Sequence, residues 1–399
     1  MLKIGVFGAW RGNSYINLFL QDEEIEIAAV CDKDKEKLYE HRDEFKYAAL
    51  CGNFDEFLAQ GKKRGMTAVF LANYFHEHSV YAVKAMRAGL DVISECTAAA
   101  TLAQCVELVE CAEQTGRKYM LAENYPFSTE NLIMERIISE GSLGTLLYAE
   151  GEYNHSGSNE QLRELTPGKN HWRAWMPRTY YVTHALGPIM YMTKSMPLYV
   201  RARAAHSDLL YKIKDWRHNY DGVGMMFCEM DNGMIARFTG CTAMASDYSR
   251  YRVAGDTASA EWGGYIEHGK VRKYYFEHTK PENEERISLL DADLSESGAD
   301  AEKAKSAGHG GGDYRVVLEI KKYLIDGAEP FFDVYRAVAM SATAILGWRS
   351  CLNHGENIRI PDFRSPSERD AVRGDTLTPF PDENGEGISL PCALPYKGK

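Results

Sequence analysis

Over Leu2 to Glu123 short apolar runs alternate with longer amphipathic stretches. The runs are KIGVF, EIAAVC, AVFLAN, DVISE and KYMLAE, and between them lie segments such as VYAVKAMRAG and LAQCVELVECAEQTG, whose apolar positions recur at helical spacing. That rhythm predicts βαβ units. The runs are apolar almost throughout rather than at alternate positions, as expected of parallel strands with helices on both faces.

After Tyr125-Pro126 the pattern changes. A helical stretch, TENLIMERIISEG, precedes alternating segments (TLLYAEGEYNH, LYVRARAAH, GVGMMFCEM, MIARFTGC and SRYRVAG) that read as antiparallel strands with one buried face. Helical patterns return at Asp313 to Leu324 and Val334 to Asn353. The Asp-, Ser-, Ala- and Gly-rich stretch from Leu290 to Gly312 reads as a surface loop or lid, and the chain after Pro361 as an irregular tail. The predicted fold is α/β: a doubly wound parallel sheet over residues 1–124, an α+β domain with a large, mainly antiparallel open sheet over 125–360, and a tail over 361–399.

Composition narrows the function classes. The apolar fraction of 45% and charged fraction of 26% suit a folded globular chain, and a net charge of −11 argues against a nucleic-acid partner. No apolar run approaches membrane-spanning length, and MLKIGVFGAW enters a strand without a signal-peptide pattern, so a cytoplasmic protein is expected. Nine cysteines without a C-x-x-C predict neither disulfides nor structural zinc, and no metal site is expected.

The first strand runs into Gly8-Ala9-Trp10-Arg11-Gly12, where a dinucleotide site places a tight glycine turn and a helix N-terminus. Trp10 stands where a second glycine is usual. Asp32, closing the second run, is placed to accept from ribose hydroxyls and to repel a 2′-phosphate, which favours NAD over NADP; Lys33 and Lys35 act in the other direction. Arg11 either meets phosphate or pairs with a surface carboxylate. Asn73, His76 and His78 come at the end of the AVFLAN run, where the crevice of such a sheet lies, and bonding to the backbone or starting a helix is the expected use of a histidine there.

These residues, with DVISECTAAATLAQC, resemble the Gfo/Idh/MocA oxidoreductase family across nearly the whole chain. The family's E-K-P becomes Glu95-Cys96-Thr97, so its proton-handling lysine is absent, and Cys96 is expected to be a small structural thiol. AENYPF around Glu123, AEGEYNH around Tyr153, HWRAW followed by YYVTHALGP, and GHGGGDY around His309 are similar to the branch of NAD-dependent α-N-acetylgalactosaminidases. The resemblance implies NAD held by Gly8, Trp10, Arg11, Gly12, Asp32, Asn73, His76 and Glu95. It implies Tyr153 as base with Tyr181 and His184, a sugar site lined by Glu123, Arg173, His309 and Asp313, and a homo-oligomer. The stretch from Trp172 to Tyr181 is shorter than in that branch.

Read from the residues alone, Tyr180 and His184 lie one helical turn apart with Tyr181 beside them. Each has a plain packing alternative, and Trp172 and Trp175 read as core indoles before sugar platforms. Three activities remain open: hydride transfer on a sugar as part of redox-neutral glycoside hydrolysis, simple sugar or polyol dehydrogenation, and non-catalytic sensing of nucleotide or sugar.

Overall fold

Strands covered on both faces must be apolar on both, and β1 (Leu2–Phe7), β2 (Ile25–Cys31), β4 (Ala68–Leu71), β5 (Asp91–Ser94) and β6 (Tyr119–Leu121) are buried along most of their length. With β3 (Ala49–Cys51) they form a six-stranded sheet in the order β3-β2-β1-β4-β5-β6, each neighbouring pair parallel. The computed structural model describes residues 1–399 apart from 41, 42, 44, 46, 246, 265, 267, 295–298, 383, 389–391 and 395–399. It divides into two units: Met1–Asn124 with Ala299–Ser341 and Asp362–Thr376, and Tyr125–Gly298 with Ala342–Pro361 and Leu377–Lys399.

In the first unit, side-chain caps start the helices where the sequence offers them. Asn53 accepts from the Glu56 N–H ahead of Phe54–Lys63, and Thr101 from the Gln104 N–H ahead of Leu102–Thr115. Gly116, left-handed at φ 61°, ends the second of these. β3 gave no readable signal in the sequence, since three residues are too few to show a period.

The second unit holds a nine-stranded sheet ordered β14-β13-β12-β11-β7-β10-β9-β8-β15. Its strands are β7 (Leu146–Asn154), β8 (Pro197–His206), β9 (Asp221–Met230), β10 (Ile235–Cys241), β11 (Tyr248–Gly255), β12 (Ala258–Gly263), β13 (Lys270–Tyr275), β14 (Ile287–Asp291) and β15 (Ile358–Arg359). The five alternating segments are strands, but β7 and β10 run parallel, with Tyr153 beside Gly240. Alternation reports which face is buried and carries no information on direction.

Two further expectations are corrected. The stretch expected as a loop contains a helix, Ala299–Ser306, with Asp300 and Glu302 in its first turn and Lys303 and Lys305 in its last, an arrangement that suits the helix dipole; residues 295–298 lie outside the described chain. The expected irregular tail includes the helix Pro366–Val372, opened by its proline. Among the described residues no helix is long and apolar enough to cross a membrane.

The helix Thr183–Thr193 lies on β7 at a distance set by Gly151, where a Cβ would fall 2.1 Å from the Ala185 carbonyl oxygen. Gly151→Ala is therefore expected to destabilise the second unit by about 2–3 kcal/mol. Urea unfolding followed by tryptophan fluorescence reads this unit, which holds every tryptophan except Trp10. An unchanged midpoint would show that the helix is not seated on that strand.

Candidate active site

The turn after β1 is shaped by close backbone approach. Gly8 sits at φ 97°, and a Cβ there would lie 2.4 Å from the Ala72 carbonyl carbon; one on Gly12 would lie 2.7 Å from the Val6 side chain. Both positions exclude larger residues, the first by conformation as well as space. The helix that follows, Ala9–Phe19, has no acidic residue in its own first turn, and the carboxylate that meets its positive end comes from Asp32. Asp32 accepts from the Ala9 N–H at 2.8 Å and the Asp34 N–H at 3.0 Å, tying the end of β2 to this turn.

Trp10 is 61% exposed, so its indole is not packed into the turn. Lys33 donates to the Tyr74 hydroxyl and lies over that ring, while the Lys35 side chain falls outside the described residues. The Asn73 amide donates to Glu77 at 3.4 Å. His78 lies between the Thr97 and Asn73 carbonyls at 2.9 and 3.2 Å, a backbone-bonding position. Burial pushes both His76 and His78 down to about 4, so both are neutral at physiological pH.

At the carboxyl ends of β5 and β6 the first unit gathers a buried polar cluster. Arg11 pairs with Glu95 at 2.7 Å and with Asp313 at 3.5 Å. The carboxylates that Arg11 meets belong to buried rather than surface residues. The Cys96 thiol donates to the Glu123 carboxylate at 2.8 Å. Burial, then Glu123 and Glu95, raises that thiol well above its ordinary value, so the group in the family lysine's place is a proton-bearing donor and no nucleophile.

Asp313 is the centre of the cluster and is 2% exposed. It accepts from Asn124 at 2.7 Å and Tyr15 at 3.2 Å through one oxygen, and meets His309 Nδ1 at 3.0 Å through the other. Burial works against its charge, but the His309 hydrogen bond, with His309, Arg11 and Asn124, holds the carboxyl well below the usual range. The glycines around it are spatial necessities, for a Cβ on Gly308 would meet Asp313 Oδ2 at 2.7 Å and one on Gly312 the Asn124 carbonyl at 2.4 Å.

The second unit gathers an aromatic cluster at the end of β7. Tyr153 lies 5.0 Å from Tyr125, 5.6 Å from Tyr181 and 4.8 Å from His184 between ring centroids, and Tyr181 lies 5.3 Å from His184. Arg173 sits over Trp172 at 4.4 Å and over Tyr181 at 5.5 Å. Tyr180 is elsewhere. Arg178–Tyr181 is a 3₁₀ turn ahead of the helix, so Tyr181 reaches His184 while Tyr180 packs in the core against Phe380 at 5.1 Å. Trp172 and Trp175 are both buried, the latter stacked on His218 at 3.5 Å.

Burial, Tyr181 and Tyr125 raise the Tyr153 phenol well above its ordinary value, with Arg173 opposing them, so the resting group is protonated. Tyr125 and Tyr251 are the participants that the sequence pattern left out. Pro188 stands four residues after His184 and has no N–H for the His184 carbonyl; the Tyr251 hydroxyl donates to that oxygen at 2.5 Å instead. A proline inside a helical pattern was the available signal, but it named no partner.

With this geometry in place, comparison with known proteins gives the class first. Residues 2–123 match the Gfo/Idh/MocA model, described as oxidoreductase family, NAD-binding Rossmann fold. Residues 283–367 match the glycosyl hydrolase 109, C-terminal domain. The protein is thus an enzyme that carries a Gfo/Idh/MocA NAD-binding domain and a glycosyl hydrolase 109 C-terminal domain.

Among curated relatives, glycosyl hydrolase family 109 protein 1 of Shewanella sp. (strain ANA-3) is 26% identical, with 91% of this chain and 85% of that protein covered. A family 109 protein of Saccharopolyspora erythraea is 25% identical over 95% of this chain and 85% of its own. Among solved structures, aldose-aldose oxidoreductase from Caulobacter crescentus, complexed with glycerol, aligns with a TM-score of 0.69 at 16% identity, covering 90% of this chain and 99% of that one, and shares the fold.

A depressed carboxyl stabilises the fold above the pH at which its unfolded counterpart titrates. The unfolded chain takes up the Asp313 proton near the ordinary value of 3.8 while the folded chain does not, so this stabilisation is present at neutral pH and fades as acid carries the solution below that value. Asp313→Asn is expected to cost about 2 kcal/mol at pH 7 and to flatten this acid limb. Urea midpoints measured from pH 7 to pH 3 check both; parallel wild-type and variant curves would remove Asp313 as the source.

Proposed function

We propose that the protein holds NAD at the turn after β1 and acts on a ring carbinol of a sugar or glycoside, in a redox-neutral glycoside hydrolysis. The observation that carries the reading is the convergence of Tyr153, Tyr181, His184 and Arg173 in a chain whose other unit is an NAD-binding domain. The glycosyl hydrolase 109 match and relatives favour hydrolysis over simple dehydrogenation. A homo-oligomer in the cytoplasm belongs to the same proposal.

The residues suit the nucleotide. Gly8, where a Cβ would fall 2.4 Å from the Ala72 carbonyl carbon, keeps the turn tight, the start of the following helix, with no acidic residue in its own first turn, favours a pyrophosphate, and Asp32 retains acceptor capacity for ribose hydroxyls. Asp32 supports NAD over NADP, and Lys33, already engaged with Tyr74, adds little toward a 2′-phosphate. When bound, NAD supplies a two-electron hydride acceptor.

The protein's own side chains handle protons and orientation. Tyr153 rests as a phenol, so it holds a proton at neutral pH and needs added positive charge before it serves as a base. Arg173 acts in that direction and donates to sugar oxygens. His184, with its carbonyl fixed by Tyr251, presents its ring to Tyr153 and Tyr181. In the first unit Glu123 is fully buried and bonded to Cys96, while His309, oriented by Asp313, offers an accessible imidazole.

Two outcomes are expected. Tyr153→Phe keeps NAD affinity within about twofold and lowers turnover by a factor on the order of 10²–10⁴; wild-type turnover on aryl glycosides would remove Tyr153 from the chemistry. Released aglycone without net NADH marks hydrolysis, and net NADH from free sugars marks dehydrogenation. Asp32→Ala is expected to narrow the NAD:NADP affinity ratio by about tenfold or more, read by fluorescence titration. An unchanged ratio would mean that the ribose is recognised elsewhere.

A further inference from the structure

Beside the aromatic cluster the second unit concentrates positive charge without matching negative charge. Arg178 is 5% exposed and Arg217 3% exposed, yet neither these two nor Arg173 has a carboxylate at salt-bridge distance among the described residues. Arg217 donates to the Asn219 and Arg173 carbonyls at 3.3 and 3.0 Å, and Arg178 to the Met176 carbonyl at 3.0 Å. Nε of both Arg173 and Arg178 is buried without a hydrogen-bond partner.

Buried guanidinium groups are ordinarily paired, because removing the charge from water is costly. The buried carboxylate of this region, Asp221, already accepts from Asn219, Cys392 and Ala393 at 3.1, 3.2 and 3.0 Å, and lends Arg178 only a through-space attraction. Asp247 is largely exposed and lies 3.7 Å from His155. Burial pushes Arg178 down to about 10 and Arg217 to about 9; Arg173 pushes Arg178 the same way, and Arg178 and Arg173 do so for Arg217. Three cations thus lie close enough to oppose one another's charge, with no carboxylate paired to any of them among the described residues.

Arg173 is the member placed to meet a ligand. Half-buried, its guanidinium lies over both Trp172 and Tyr181, which restrains it without using its N–H donors on an acid. We infer that the substrate carries an oxyanion group, a carboxylate or a phosphate or sulfate ester, that Arg173 receives, with Arg178 and Arg217 as positioning residues that keep the field behind it positive. This rests on the reading that the Tyr153 cluster takes a sugar.

The test uses the NAD-loaded protein on matched pairs: glucuronate with glucose and galacturonate with galactose, as free sugars and aryl glycosides, together with the hexose 6-phosphates and 6-sulfates. Calorimetric binding and turnover are both recorded. The expected result is a preference of about 30-fold or more in kcat/KM for an oxyanion-bearing member, carried mainly by KM and reduced by added salt. The uronate and ester arms identify which oxyanion it is.

Arg173→Gln should bring the preference below about threefold and Arg173→Lys restore part of it, with NAD affinity unchanged. Should the glutamine variant fold poorly, the wild-type comparison alone decides. Neutral and anionic members handled equally would overturn the inference while leaving the proposed function intact. Selective oxyanion-sugar binding without turnover of any member would support it while removing the proposed function. Absence of binding by every oxyanion-bearing sugar overturns it.

Discussion

The buried carboxylate of Asp313 is the constraint on which the first unit's site depends. A charge withdrawn from water must be met on every lone pair, and four side chains from three segments meet this one: Arg11 and Tyr15 from the first helix, Asn124 and His309. Satisfying it fixes the first helix, the end of the sheet and the glycine loop together. The glycines at 308 and 312 are the steric counterpart of that electrostatic demand, since a side chain at either would occupy the space the bonded groups need.

Around this knot the absence of the usual lysine acquires a physical meaning. A lysine ammonium would neutralise Glu123; Cys96 instead offers the carboxylate a thiol proton and keeps it, because burial and two neighbouring carboxylates oppose a thiolate. Positive charge is supplied by Arg11 from the first helix, locked to Glu95. The resting first unit therefore has a neutral proton donor where the wider family has a cation. The second unit shows the opposite balance, with arginines exceeding acids beside the tyrosines.

Much of the fold was legible because periodicity is a local property. Five of the strands in the first sheet announce themselves as continuous apolar runs, whereas β3, three residues long, does not. In the second sheet the alternation of β7 to β11 was readable, and the polar short strands β12, β13 and β14 were not. The Leu290–Gly312 stretch misled in the other direction: its acids, serines and glycines suggested a loop, but the alanines and well-placed end charges between them make a helix.

By itself the amino-acid sequence determined the βαβ rhythm, the glycine turn, the acidic end of β2 and the neighbourhoods of Tyr153, His184 and His309, all encoded within a few residues of one another. Tertiary structure alone decided that Arg11 turns to carboxylates, that Cys96 faces Glu123, that Tyr181 rather than Tyr180 joins His184, and that β7 and β10 run parallel. The reason is distance along the chain. Tyr15 and Asp313 are 298 positions apart, and no period or spacing records a partner that only packing brings within a hydrogen bond's length.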